Sequence, residues 1–247
     1  MSFQDKVVLV TGGASGIGAA ATRAFAKAGA RVAFTYATSR DEAAALSAEL
    51  GVKTLALPAD LTRPEAVTEV FARTAREFGP LDVLFANAGG LLQRSRCVDT
   101  TLELWQRAIA VNLTSTFLCC QAALRSMEPR RTGAIVTMAS LAAFDGGGPG
   151  ASHYAATKGA VATYTRSLAK EVGPLGIRVN GVAPGLIGTR FHDVFNTPQG
   201  RAAVVERTPL RREGTPEDVA ETVLYLASDR ASFLAGEIIQ INGGMGF

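Results

Sequence analysis

The sequence predicts an α/β protein, a single doubly wound domain in which one seven-stranded parallel sheet carries helices on both faces. Three observations predict it. Short apolar runs of strand length alternate with helical stretches along the whole chain, the first run ends in a glycine-rich corner, and no linker or repeat interrupts the alternation. A length of 247 residues is short for two catalytic domains and suits one large α/β unit spanning residues 1–247.

Val7–Val10, bounded by Lys6 and Thr11-Gly12-Gly13, reads as a strand buried on both faces. Gly16–Ala28 is rich in small, helix-forming residues and stops at Gly29. Strand Arg31–Tyr36, helix Asp41–Leu50 and strand Lys53–Leu57 follow. Helix Pro64–Phe78 leads to strand Asp82–Ala86, and a long helix Leu102–Met127 leads to strand Ala134–Met138. Helix His153–Val172 precedes strand Ile177–Val182, and helix Pro216–Ala227 precedes strand Glu237–Ile241. Right-handed crossovers between parallel strands place these helices on both faces. Ala183–Gly200, rich in Gly and Pro with Phe191, His192 and Phe195 embedded, fits neither pattern. Ligands of doubly wound sheets sit beyond the carboxyl ends of the strands, so a substrate-covering lid is expected at about 186–212.

Composition narrows the function. The chain is 47% hydrophobic with a net charge of +3, which excludes disorder. No apolar run reaches the roughly 18–20 residues of a bilayer span, and Met-Ser-Phe-Gln-Asp lacks the order of a signal peptide. A cytoplasmic protein without membrane contact is expected. No dense Lys/Arg tract interleaved with aromatics occurs, so nucleic acid is not an expected partner, and Arg130 and Arg131 read as a solvated helix end. Cys97, Cys119 and Cys120 read as small buried residues in a reducing compartment. Two histidines and no carboxylate cluster predict no metal site.

The corner Thr11–Gly18 spaces Gly12, Gly16 and Gly18 as G-x-x-x-G-x-G. Glycines between a strand and a helix let backbone N–H groups and the positive helix end approach a pyrophosphate. A dinucleotide site also needs a reader of the adenosine ribose at the end of the second strand. That end reads Tyr36-Ala37-Thr38-Ser39-Arg40, with no acid before Asp41. Hydroxyls and Arg40 suit a 2′-phosphate, so NADP is favoured over NAD. Ser15, where a basic residue would strengthen that choice, tempers it.

Tyr154 and Lys158 stand four residues apart, one turn along one helix face. A nearby ammonium favours phenolate and brings a phenol toward a useful proton exchanger. Ser140 ends the fifth strand and Asn112 lies in the preceding long helix. Asp60, Asn87-Ala88-Gly89 and Pro184-Gly185 fall at other strand ends on the same rim. His153, about 100° from Tyr154 around the helix, is expected on the cleft wall or surface, and His192 as a solvated loop residue.

With these residues in place the chain resembles the classical short-chain dehydrogenase/reductases over essentially its whole length. The motifs are Thr11–Gly18, Asn87-Ala88-Gly89, Asn112, Ser140, Tyr154 with Lys158, and Pro184-Gly185 followed by Thr189. Two departures stand out: Ala86 replaces the first asparagine of the more usual N-N-A-G, and the Ser140–Tyr154 spacing is one residue longer, through Gly146–Gly150. The resemblance implies an NAD(P)-dependent oxidoreductase acting between a carbonyl and a secondary alcohol. It implies Tyr154 as general acid/base, Ser140 polarising the oxygen, Lys158 lowering the tyrosine pKa, and Asn112 holding a water that leads from Lys158. It also implies that Gly12, Ser15, Gly16, Ile17 and Gly18 hold the pyrophosphate, and Tyr36, Thr38, Ser39 and Arg40 the ribose. Asp60 and Leu61 then flank the adenine, Asn87, Ala88 and Gly89 the adenosine ribose, and Pro184, Gly185, Ile187 and Thr189 the nicotinamide amide. Within the family the tail Ile241-Asn242-Gly243-Gly244-Met245 looks closest to the 3-oxoacyl-acyl carrier protein reductases, and that reaction is the alternative to a small carbonyl substrate. A catalytically silent dinucleotide-binding sensor is an alternative of another class. A homotetramer is expected through the long helices and the last strand.

Overall fold

The computed structural model describes residues 1–246, apart from the side chain of Val52; the last residue of the expected domain lies outside them. Seven parallel strands form one sheet in the order β3-β2-β1-β4-β5-β6-β7. They are β1 (Val7–Val10), β2 (Arg31–Tyr36), β3 (Thr54–Pro58), β4 (Val83–Ala86), β5 (Gly133–Met138), β6 (Ile177–Pro184) and β7 (Ile238–Ile241). The order reverses direction between β1 and β4, which opens a crevice at the carboxyl ends of those two strands.

The strand period of two sorts side chains onto two cores. Val8, Val10, Val32, Phe34, Val83 and Phe85 face one side, where α1 (Gly16–Lys27) and the last long helix, Pro216–Ala227, bury their apolar stripes. Val7, Leu9, Ala33, Leu84 and Ile135 face the other side, against α3 (Pro64–Phe78) and the helices ending at Met127 and Val172. The remaining crossover, α2 (Arg40–Leu50), buries only Ala43 and Leu46.

Four sequence expectations are modified. The long helix Leu102–Met127 forms as α4 (Leu102–Ile109) and α5 (Ser115–Met127), joined by a π turn at Ala110–Thr114 that contains Asn112. The segment without a pattern is ordered into α8 (Arg190–Phe195) and α9 (Pro198–Arg207), preceded in the chain by α6 (Ala142–Asp145) and α7 (Ser152–Val172) and followed by α10 (Pro216–Ala227). α9 starts where Thr197 accepts a hydrogen bond from Gly200 N–H at 3.1 Å with Pro198 behind it, a start signal hidden by the surrounding glycines and prolines. Arg130 is no solvated end: it pairs at 2.8 Å with Asp82, whose other oxygen accepts from Val7 N–H at 2.9 Å, tying the bottoms of β1 and β4 to α5. Cys119 and Cys120 are buried as expected, whereas Cys97 is exposed on the loop before α4. Among the described residues no helix is long and apolar enough to cross a membrane.

Candidate active site

A cleft of about 930 Å³ runs along the carboxyl rim of the sheet. It is lined by the corners after β1 to β6 and closed on one side by α8 and α9. All the site residues named from the sequence line it except Arg40 and Asn112.

The β1–α1 corner shows why glycine stands there. A Cβ on Gly18 would lie 2.1 Å from the Gly12 carbonyl oxygen, so nothing larger lets α1 start this close to β1. Ser15 caps α1 in extended conformation without a side-chain cap bond, and the first turn carries no acid. The N–H groups of Gly16, Ile17 and Gly18 have no acceptor within the helix, and the helix dipole adds positive potential at the cleft. This corner fits a pyrophosphate. Its shape is held by Thr35, whose hydroxyl accepts from Gly12 N–H at 3.0 Å, and by Asn87, whose amide donates to the carbonyls of Thr11 and Gly12 at 2.9 and 3.1 Å.

At the end of β2, Tyr36, Thr38 and Ser39 line the cleft. Arg40, the first residue of α2, is exposed and lies just outside this lining. Asp60 and Leu61 close this end. A hydrogen bond from the Thr62 hydroxyl at 2.7 Å and one from its N–H hold the Asp60 carboxyl below the usual range.

At the other end Ser140, Tyr154 and Lys158 converge. Lys158 is buried and donates to the Met138 carbonyl at 2.7 Å, and its nitrogen lies 5.7 Å from the centre of the Tyr154 ring. Burial pushes Lys158 down to about 7. Burial raises the Tyr154 phenol, and the Ser140 hydroxyl pulls it partly back. Both groups are desolvated, and in this arrangement each favours its neutral form. A Cβ on Gly89 would meet Asn112 Oδ1 at 2.6 Å and Lys158 Nζ at 3.2 Å, so the glycine lets these two groups face one spot.

Asn112 itself is fully buried behind the lining. Its Oδ1 accepts from Gly90 N–H at 2.9 Å, and its Nδ2 donates to the carbonyls of Gly90 at 2.9 Å and Ala108 at 3.0 Å. The residue secures the β4–α4 loop through the π turn. His153 is wholly buried rather than at the surface, its Nε2 3.1 Å from the Leu91 carbonyl. His192 is half-buried and lines the cleft, contrary to the expected solvated position, because α8 folds it inward beside Phe191. Phe191 lies 6.0 Å from the Tyr154 ring and 5.0 Å from Phe195. The i, i+4 aromatic pair Phe191 and Phe195 was the sequence signal for α8. Leu91, Leu141 and Met245, which complete the apolar wall, carried no such signal.

The profile of a family described as Enoyl-(Acyl carrier protein) reductase, a branch of the short-chain dehydrogenase/reductases, matches residues 12–246. The chain belongs to the short-chain dehydrogenase/reductase family. Cis-4-hydroxycyclohexanecarboxylate dehydrogenase of Sinomonas cyclohexanicum is 40% identical over 245 residues, covering 98% of this chain and 97% of the relative. A 3-oxoacyl-[acyl-carrier-protein] reductase of Escherichia coli (strain K12) is 38% identical over 249 residues, with 99% of each chain covered. Cyclohexanol dehydrogenase of Rhodococcus sp. (strain TK6) is 37% identical over 265 residues, covering 99% and 97%. This short-chain dehydrogenase/reductase is thus an oxidoreductase of alcohol and carbonyl groups that uses a nicotinamide cofactor. The glycine corner and the unacidic start of α1 fit that cofactor's pyrophosphate.

Proposed function

We propose that the protein interconverts a compact ketone and its secondary alcohol with NADP(H), using Tyr154 as general acid/base. The observation that carries the reading is the convergence of Ser140, Tyr154 and buried Lys158 on one rim with the glycine corner. In the reducing direction the Tyr154 hydroxyl donates its proton to the carbonyl oxygen, and the Ser140 hydroxyl polarises and orients that oxygen. The bound nicotinamide supplies the hydride. Lys158, which gains and loses a proton near neutral pH, replenishes Tyr154, and when charged it favours phenolate for the reverse reaction. Asn112 acts by fixing Gly90 and the floor next to Lys158. NADP over NAD rests on the hydroxyls of Tyr36, Thr38 and Ser39 at the ribose end and on the lack of an acid between the end of β2 and Asp41.

Relatives of nearly equal identity are named for cyclohexane-type alcohols and for an acyl carrier substrate. Compact substrates are favoured because much of the basic surface that would receive an acidic carrier is already engaged. Arg130 is tied to Asp82, Arg212 to Asp218, and Arg211 to the Glu206 carbonyl. A cytoplasmic setting is supported by the three free thiols. A homotetramer is supported by Trp105 and Phe117, both exposed on the α4–α5 face, with Phe117 edge-on to Tyr164. Sedimentation as a monomer would contradict it.

The test follows NADPH and NADH absorbance against cyclohexanone, 4-oxocyclohexanecarboxylate, a diketone and an oxoacyl thioester. Turnover of the cyclic ketones with NADPH, lost in Tyr154→Phe, is the expected result. A rate confined to the thioester overturns the substrate class, and no rate with any carbonyl overturns the reading.

A further inference from the structure

Arg94 stands out among the cleft residues because all of its hydrogen bonds reach far along the sequence. Its Nη1 donates to the Pro149 carbonyl at 2.7 Å, its Nε to the Phe195 carbonyl at 2.9 Å, and its Nη2 to Asn196 Oδ1 at 3.0 Å. The first acceptor lies in the loop between α6 and α7, and the other two lie at the end of lid helix α8. Next to it, Ser95 N–H donates to the Gly150 carbonyl at 3.0 Å, so the loop is fastened at two adjacent points.

Both far ends of this fork bear on the catalytic tyrosine. The loop carrying Pro149 and Gly150 runs straight into α7, which presents Tyr154. Asn196 Nδ2 lies 3.3 Å from His192 Nδ1, and the same helix sets Phe191 edge-on to Phe195 and tilted against Tyr154. None of the three acceptors is a carboxylate, and among the described residues no acid lies within ion-pair distance of Arg94. The guanidinium therefore acts as a planar three-way fork rather than as half of a surface ion pair.

We propose that Arg94 is a positioning residue that clasps lid helix α8 to the 146–150 loop, setting the depth of the substrate pocket over Tyr154. The assignment rests on the reading of Tyr154 as the acid/base of the site. It explains how a loop that is one residue longer than usual keeps a defined edge: the extra reach of Gly146–Gly150 is taken up by the fork. Burial, with the charges of Arg201 and Arg94 adding to it, keeps His192 below the ordinary histidine range, which suits a neutral ring on a lid that closes over an apolar wall.

The experiment compares Arg94→Ala, Arg94→Lys and Asn196→Ala with the parent enzyme. Chymotrypsin, which cuts after Phe191 and Phe195, reads the lid directly in the presence of saturating NADPH. Lid cleavage is expected to rise about tenfold in Arg94→Ala, and less in Arg94→Lys and Asn196→Ala, the loss of charge-assisted bonds to the lid setting the scale. In the same proteins the KM for cyclohexanone rises about tenfold in Arg94→Ala while kcat stays within about threefold, since substrate binding rather than proton transfer loses its support. NADPH affinity, read by fluorescence, and the melting temperature remain at parental values. Parental cleavage rates in both Arg94 variants overturn the clasp whatever the kinetics show, and so does a KM unchanged beside intact turnover. If Arg94→Ala fails to fold, the Arg94→Lys and Asn196→Ala cleavage rates decide. A lid that opens in an enzyme with no activity on any carbonyl leaves the clasp standing and rejects the proposed reaction instead.

Discussion

Asn112 and Gly90 exchange a reciprocal pair of hydrogen bonds, N–H to Oδ1 and Nδ2–H to carbonyl, both at 2.9 Å. Asn112 comes from a widened helical turn and Gly90 from the loop after β4, so the pair joins the helical layer to the rim of the cleft. Truncation leaves the half-buried Gly90 amide and carbonyl without that partner. Asn112→Ala is expected to lose about 1–2 kcal/mol of stability in urea unfolding. It is also expected to lose turnover beyond that, because the spot shared with Lys158 opens.

Tyr154→Phe keeps the ring that packs against Phe191 and removes only the hydroxyl that carries the exchangeable proton. The expected loss in kcat is about 100-fold or more, with NADPH affinity and melting temperature unchanged. Single-turnover absorbance together with cofactor fluorescence checks both halves.

Lys158 makes stability depend on pH in a definite direction. In the unfolded chain it keeps its proton up to the ordinary 10.5, whereas in the fold it releases it at about 7. Between these values the unfolded state binds more protons, so unfolding free energy rises with pH over that window. Below about 7 the fold must accommodate a desolvated ammonium held by the Met138 carbonyl. Urea titrations from pH 6 to 10 are expected to show a rise that Lys158→Met removes.

Thr38→Asp sets an acid in the turn directly after β2, where the sequence has none before Asp41. NADPH affinity is expected to fall about tenfold or more, while NADH is held at least as well, since an acid repels a 2′-phosphate and accepts from a 2′-hydroxyl. Equal losses for both cofactors would show that the phosphate lies elsewhere. Arg40→Ala, outside the lining, is expected to change NADPH binding less than Thr38→Asp does.

The strands and most crossovers were legible because they are set by local pattern: Val7–Val10 and Val83–Ala86 are apolar on both faces, and Pro64 and Gly79 punctuate α3. The rim followed from those strands, since Ser140, Asn87 and Pro184 could only fall at one end of a parallel sheet. What escaped depends on partners distant in sequence. Arg94 acquires its role from carbonyls 55 and 101 residues away, and Arg130 its place from Asp82, 48 residues away. His153 is drawn inward by the Leu91 carbonyl, which nothing next to it in the sequence announces. The burial of Tyr154 and Lys158 was hidden for another reason: spacing along a helix reports closeness but not desolvation.

The wide turn at Ala110–Thr114 also acts as a rotational setting for everything that follows it. Its five residues turn about as far as four do in an ordinary helix, so the turn absorbs one extra residue without rotating α5. Straightened into ordinary winding with all its residues kept, it would rotate α5 by about 100° and carry Cys120 and Leu124, now packed in the interior, to the exposed places of Gln121 and Arg125. The helix keeps its irregularity because the packed face of α5 is phased to it.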